Sequence, residues 1–155
     1  AFLRWDFAQG GAQPPPEYET IIDGQNLGTV IHAGANTGVD GFTIKGGYAP
    51  LEAETYFGGG ISGNGEITVS NCKLIANYAH MGGGLFLDTG KVENCLFINN
   101  SANFGGGICT RYGETSSLLI SNCKFLSNTA DTGGGIFNIQ SSPRIQNSFF
   151  VGNDY

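Results

Sequence analysis

Apolar residues in this chain either alternate with polar ones or run in short bursts, and Gly, Asn and Ser bound most of these bursts. This pattern is typical of β-strands. No segment shows the 3.6-residue period of an amphipathic helix. The pattern of apolar positions therefore predicts an all-β chain.

Two phrases recur in constant order. A glycine triplet followed by Ile or Leu begins at residues 58, 82, 105 and 133, so its copies start 24, 23 and 28 residues apart. A second phrase, VSNCKLIANYA at residue 69, returns as VENCLFINNSA at 92, ISNCKFLSNTA at 120 and IQNSFFVGNDY at 145. Repeats of this length without a helix are typical of a β-solenoid, whose turns stack at the strand spacing of ~4.8 Å. With VDGFTIKGGYA at 39 as an upstream copy, they predict about five to six turns.

Residues at equivalent repeat positions are predicted to stack in columns. One column is predicted to be buried thiols rather than disulfides or a metal site, because Phe and Ser replace Cys in the flanking copies; its members are Cys72, Cys95 and Cys123. A second column is expected to turn a corner in the left-handed conformation and to form an amide ladder; its members are Asn77, Asn100, Asn128 and Asn153. The glycine triplets are expected to turn the opposite corner and to allow close packing between turns.

The motifs resemble a known repeat family. Gly-Gly-x-Ile together with Phe-x-x-Asn, as in Phe97-Ile98-Asn99-Asn100 and Phe125-Leu126-Ser127-Asn128, is similar to the repeats of polymorphic outer membrane proteins. The resemblance covers roughly residues 19–155 and implies a right-handed parallel β-helix of bacterial surface proteins. The same scaffold carries adhesins, passengers and polysaccharide enzymes, so the resemblance implies no single activity.

Composition and charge narrow the classes of function. The net charge is -6 and the seven Lys and Arg residues are scattered singly, which argues against a nucleic-acid partner. No apolar run reaches the ~20 residues of a membrane-spanning helix. The 13 Asp and Glu residues do not stack in the repeat, so the paired acids of polysaccharide enzymes are not expected. The sequence predicts a non-enzyme with no cofactor and no bound metal.

Two insertions interrupt the repeat, at residues 48–57 and 111–117. Loops on a rigid scaffold are common binding positions. Their aromatic and basic residues are candidates for stacking on sugar rings: Tyr48, Tyr56, Arg111 and Tyr112. The alternative is that both insertions are solvent loops without a ligand.

One predicted outward position of the second phrase is apolar in every copy: Ile75, Ile98, Leu126 and Val151. Phe149 adds an apolar residue at a neighbouring outward position. Either the corner bends early and turns these residues inward, or they form an exposed apolar stripe that marks a partner surface.

The first residues precede the repeat, and we place a domain boundary between an extension, 1–17, and a β-helix domain, 18–155. In the extension Leu3, Trp5 and Phe7 alternate with Phe2, Arg4 and Asp6, which predicts a strand with an aromatic face. Pro14-Pro15-Pro16 predicts a stiff spacer behind it. The segment is expected either to reach a neighbouring molecule or to fold back over its own first turn.

These features predict an extracellular or cell-surface structural protein. The chain stops within the repeat, so a complete chain is expected to stack head to tail into a filament or layer, whereas a fragment of a longer adhesin would show the same open end. The expected partner is the protein itself. The alternative is a passenger-type module that binds glycans or a host or cell surface, and a polysaccharide lyase is the third hypothesis.

Overall fold

The chain winds into a coil of short parallel strands. A computed structural model describes residues 19–53, 57–111 and 117–155, and these residues form 20 strands and no α-helix. Each strand pairs in parallel with the equivalent strand of a neighbouring turn, and the inner strands of each sheet pair on both sides. The predicted all-β parallel β-helix is confirmed.

The strands fall into four walls, which we name sheets A to D. Sheet A contains β1 (Thr20–Asp23), β4 (Phe42–Lys45), β8 (Lys73–Ile75), β12 (Leu96–Ile98), β16 (Lys124–Leu126) and β20 (Phe149–Val151). Sheet B contains β2 (Ile31–Ala33), β6 (Ile61–Gly63), β10 (Leu85–Phe86), β14 (Ile108–Arg111) and β18 (Ile136–Ile139). Sheet C contains β3 (Thr37–Asp40), β7 (Glu66–Ser70), β11 (Thr89–Glu93), β15 (Leu118–Ser121) and β19 (Arg144–Gln146). Sheet D contains β5 (Tyr48–Ala49), β9 (Tyr78–Met81), β13 (Ser101–Phe104) and β17 (Thr129–Thr132).

The core lies inside the coil and is built from columns of like residues. In sheet A the middle residue of each three-residue strand points inward, so Leu74, Phe97 and Phe125 are fully buried. The rings of Phe97 and Phe125 stack with centroids 4.7 Å apart, and Phe150 continues the stack at 4.6 Å. Stacked rings favour the parallel register of this wall, because each turn places the same side chain one strand spacing below the last.

The glycine triplets turn the corner between sheets D and B. Gly82 begins its triplet with a φ of 71°, a conformation that glycine adopts without steric cost. Gly83 is needed for closeness, since a Cβ there would lie 2.3 Å from the carbonyl oxygen of Ser101 and 2.6 Å from that of Gly106. The triplet therefore both turns the chain and lets neighbouring turns approach.

The left-handed residues lie elsewhere than predicted. At the corner between sheets A and D the left-handed residue comes one position before each ladder asparagine, at Ala76, Asn99 and Ser127, with φ of 52–53°. The ladder asparagines are not left-handed, because their side chains turn inward to bond the backbone. A separate asparagine column is left-handed at the corner between sheets C and A; it consists of Asn71, Asn94, Asn122 and Asn147.

Candidate functional site

The ladder asparagines form a continuous chain of hydrogen bonds inside the coil. The Nδ2 atom of Asn77 donates to Asn100 Oδ1 at 3.0 Å, Asn100 to Asn128 at 3.0 Å, and Asn128 to Asn153 at 2.9 Å. Each Nδ2 also donates to a backbone carbonyl of the turn before, as from Asn100 to Leu74 O at 2.8 Å. Since these amides are occupied by the fold, the ladder is structural and leaves no side chain for a ligand.

The thiol column is buried and reduced. Cys72, Cys95 and Cys123 lie at the corner that leads into sheet A, and all three are free cysteines. Each thiol donates to a carbonyl two residues before it, for example Cys95 to Glu93 O at 3.3 Å. Burial raises the pKa of Cys95 well above its usual range. The protonated, water-excluded thiol of Cys95 is therefore a poor nucleophile and a poor metal ligand.

The outer face of sheet A carries the apolar column predicted from the second phrase. On this face Ile75, Ile98 and Leu126 are half-buried, and Val151 is 61% exposed. The residue directly before each of them in the sequence points inward. The interpretation that this column turns inward is wrong, because the left-handed residue that bends the chain comes after each of these positions. Leu96 and Phe149 lie in the adjacent outward column, and Phe149 is 64% exposed.

On the same face, charged residues on or next to the strands β1, β4 and β8 pair with one another. Lys73 Nζ bonds Glu19 Oε1 at 2.8 Å, and Lys45 pairs with Asp23 at 3.3 Å. Hydrogen bonds from Lys73 and Thr43 hold the pKa of Glu19 below its usual value. The face therefore divides into a charged upper half, from β1 to β8, and a lower half, from β8 to β20, whose outward residues are apolar apart from Lys73 and Lys124.

Phe57 and Arg111, the described residues that border the two insertions, come together beside sheet B. The guanidinium of Arg111, which ends β14, lies 4.7 Å from the ring centre of Phe57 and 5.5 Å from that of Phe86. Tyr56 and Tyr112 lie outside the described residues. Tyr48 is not a loop residue as predicted: it begins β5, and its ring stacks on that of Tyr78 with centroids 5.2 Å apart.

Beside Arg111 lies an acid that no repeat pattern indicates. Asp88 Oδ1 is buried and has no hydrogen-bond partner among the described residues. Burial raises the pKa of this carboxyl, and Arg111 offsets part of the increase. The neighbouring Cys109 is fully buried, and burial raises its pKa to about 12. Asp88 lies in the corner between sheets B and C. This corner varies between turns, so the repeat does not predict which residue is buried there.

A shallow groove of about 580 Å³ runs along the outer face of sheet C. Lys91 and Arg144 lie on its floor with Leu119 between them, and Glu66 lies at one side. Both basic side chains are exposed. The groove presents positive charge and hydroxyl groups from Ser117 and Ser142, which suits an acidic or hydroxyl-rich ligand.

Two further expectations concern metals and membranes. Among residues 19–53, 57–111 and 117–155, no three His, Cys, Asp or Glu side chains come together as a metal site would require. Within that same part of the chain, no helix has the length and apolar character needed to span a membrane. The candidate assembly residues Phe2, Leu3, Trp5 and Phe7 lie outside the described residues.

Comparison with known proteins decides the family. Residues 17–154 match the model of the right handed beta helix region. The chain is a right-handed β-helix protein. No curated protein and no solved structure matches it. Because one fold supports many unrelated functions, membership of the β-helix family fixes the architecture and leaves the activity to be argued from the surface.

Proposed function

We propose that this β-helix is a non-enzymatic structural protein of the cell surface or extracellular space that associates with copies of itself. The observation that carries the proposal is the apolar column on the outer face of sheet A, formed by Ile75, Ile98, Leu126 and Val151. An apolar stripe repeated in four successive turns is ordered by the fold, and its regular repetition on an outer face supports a contact with a partner.

The repeat motifs support the surface location. The Gly-Gly-x-Ile and Phe-x-x-Asn phrases resemble those of polymorphic outer membrane proteins, and we assign the chain to that kind of repeat. Low charge and a composition rich in Asn, Ser and Thr fit an extended wall that contacts other proteins.

A structural role also accounts for four acidic residues that bond to other side chains of the coil. Glu19 bonds Lys73, Asp23 pairs with Lys45, Asp40 accepts from Ser70 and Asn71, and Asp131 accepts from Asn103. These carboxylates link neighbouring turns and stabilise the walls and corners of the coil. Depolymerisation of uronic acid polymers or neutral glycans by the purified protein, abolished by one Asp or Glu substitution, would show that the protein is an enzyme.

Sedimentation velocity across a concentration series tests self-association. We expect the wild type to form larger species as concentration increases and Leu126→Asp to remain monomeric. Leu119→Asp is the matched control, because Leu119 is also a half-buried outward leucine of the same turn but lies on sheet C. A wild type that is monomeric at every concentration, or two variants that behave alike, contradicts the proposal.

The groove on sheet C favours a second candidate function, the binding of a carbohydrate or receptor. Lys91 and Arg144 would pair with acidic groups, and Tyr56 and Tyr112 of the insertions are candidates for stacking on sugar rings. Glycan-array binding that is lost in Lys91→Glu or in Tyr56→Ala and Tyr112→Ala variants would favour this function over self-association.

A further inference from the structure

The lower half of the outer face of sheet A is small, and its size restricts what can cover it. From β8 to β20 it spans three strand spacings, about 14 Å, and it is one three-residue strand wide, about 10 Å. A standard protein interface buries about 800 Å² on each partner. The apolar strip is far smaller, so the flat wall of another solenoid would extend beyond it onto polar surface. A narrow, extended apolar segment suits the strip better.

The chain itself contains such a segment. Residues 2–7 alternate Leu3, Trp5 and Phe7 with Phe2, Arg4 and Asp6, and in an extended strand this alternation would place three large apolar side chains on one face. In extended form all six residues would measure about 20 Å, somewhat longer than the strip. The three apolar side chains, which are two residues apart, would then span about 13 Å from Leu3 to Phe7, close to the length of the strip.

The segment also contains an acidic residue for an exposed lysine of the strip. Lys124 is exposed within the lower half of the face and has no ion-pair partner among the described residues, whereas the other two lysines of sheet A are paired with Asp23 and Glu19. The segment carries the acid Asp6 between Trp5 and Phe7, and Trp5 separates it from Arg4, the one basic residue of the segment. The long stem of Lys124 can reach past an apolar neighbour to this carboxylate.

The spacer decides between the same chain and another copy. Residues 14–16 are three consecutive prolines, a sequence typical of a stiff extended spacer. Such a spacer disfavours a sharp return of residues 2–7 onto sheet A of the same molecule, whose first strand begins just after Glu19. It favours a contact with a neighbouring molecule.

We infer that residues 2–7 of one copy lie along the lower half of the outer face of sheet A of a second copy. This inference rests on the proposed self-association and names the part of the partner that is bound. Ile98, Leu126 and Val151 would form the floor of the contact, and Trp5 would lie between turns. Because each copy carries one segment and one strip, the contact is head to tail and can propagate.

The single tryptophan makes the contact directly measurable. Trp5 is the one Trp of the chain, so tryptophan fluorescence reports on the segment alone. We expect quenching of the full-length protein by acrylamide to fall severalfold as concentration increases, in step with sedimentation. Leu126→Asp should restore full quenching at all concentrations, and Leu119→Asp should behave as the wild type. Trp5→Asp should abolish association in sedimentation while circular dichroism shows the β-sheet unchanged.

Each alternative outcome contradicts a different statement. If larger species form and Leu126→Asp disrupts them but Trp5 is equally quenched in all states, the inference is wrong and the proposed function stands. If Trp5 is shielded in the dilute monomer and exposed by Leu126→Asp, the segment covers its own chain, and the assignment to a second copy is wrong. If no larger species form, the proposed function fails together with the inference.

Discussion

Asn100 and Asn128 are joined by two hydrogen bonds to one atom: Asn128 Oδ1 accepts the side-chain Nδ2 of Asn100 at 3.0 Å and its backbone N–H at 3.0 Å. Asn77 makes the same pair of bonds to Asn100, and Asn128 makes it to Asn153. Each amide is thereby fixed by the turns on both sides of it. A ladder of this kind transmits the register of one turn to the next.

Replacing Asn100 with Ala tests the ladder. The substitution leaves the backbone and side-chain donors of Asn77 and the carbonyl of Leu74 without their partners, all in buried positions. We expect a loss of roughly 1–3 kcal/mol in the free energy of unfolding, measured with urea. The adjacent Asn99→Gly is the control, since glycine accepts the left-handed conformation of that exposed site and should change stability by less than about 0.5 kcal/mol. Equal effects of both changes would mean that the ladder is not stabilising.

Replacing Gly83 with Ala tests the close packing of the triplets. The new methyl group would clash with two backbone carbonyls, which cannot move without separating the turns. We expect a loss of about 1–3 kcal/mol or more in the free energy of unfolding. Gly34→Ala is the matched control because no atom lies within 4 Å of the added methyl, and it should be neutral or slightly stabilising. If both variants unfold at the same urea concentration, close packing does not explain the triplets.

The Glu19–Lys73 contact predicts a pH dependence. The pKa of Glu19 is lowered in the folded state, so the carboxylate contributes stability that is complete above the unfolded value of about 4.3 and is lost as pH falls through the folded pKa. Glu19→Gln should therefore be less stable than the wild type at pH 6, and the difference should shrink at pH 3. Urea unfolding at both pH values measures it. A difference that is the same at pH 3 and pH 6 would contradict the assignment.

Asp88 should show the opposite sign. Its pKa is raised by burial, so the charged form weakens the fold at neutral pH, and this penalty decreases as pH falls toward the unfolded value of about 3.9. Asp88→Asn should increase the melting temperature at pH 7 by roughly 2–4 °C. A lower melting temperature would indicate that the charged carboxylate has a stabilising partner.

Much of the fold could be predicted from the sequence because the repeat makes register visible. Cys72, Cys95 and Cys123 stand at one position of the recurring phrase, and so do the ladder asparagines. Once the turns stack in parallel, equal positions in the repeat become neighbours in space. Stacked identical side chains then follow from the strand spacing alone.

The position of the bends and the burial of Asp88 could not be predicted, because they depend on tertiary contacts that the repeated sequence does not show. Ala76 and Ser127 have no preference for the left-handed conformation, yet they adopt it because the following asparagine must turn inward to bond the backbone. The position of that bend is also what leaves Ile75 and Leu126 on the outer face. Asp88 lies in a corner of variable length, so the repeat could not predict that it is buried beside Arg111.

Spin labelling at position 126 tests the role of the outer face of sheet A most directly. Leu126→Cys can be labelled selectively, because the four native thiols are buried. We predict that the electron paramagnetic resonance spectrum of this label changes from mobile to immobilised as protein concentration increases, while a label at Leu119→Cys keeps one spectrum throughout. A label at position 126 that remains equally mobile in monomers and in larger species would show that self-association does not use this face.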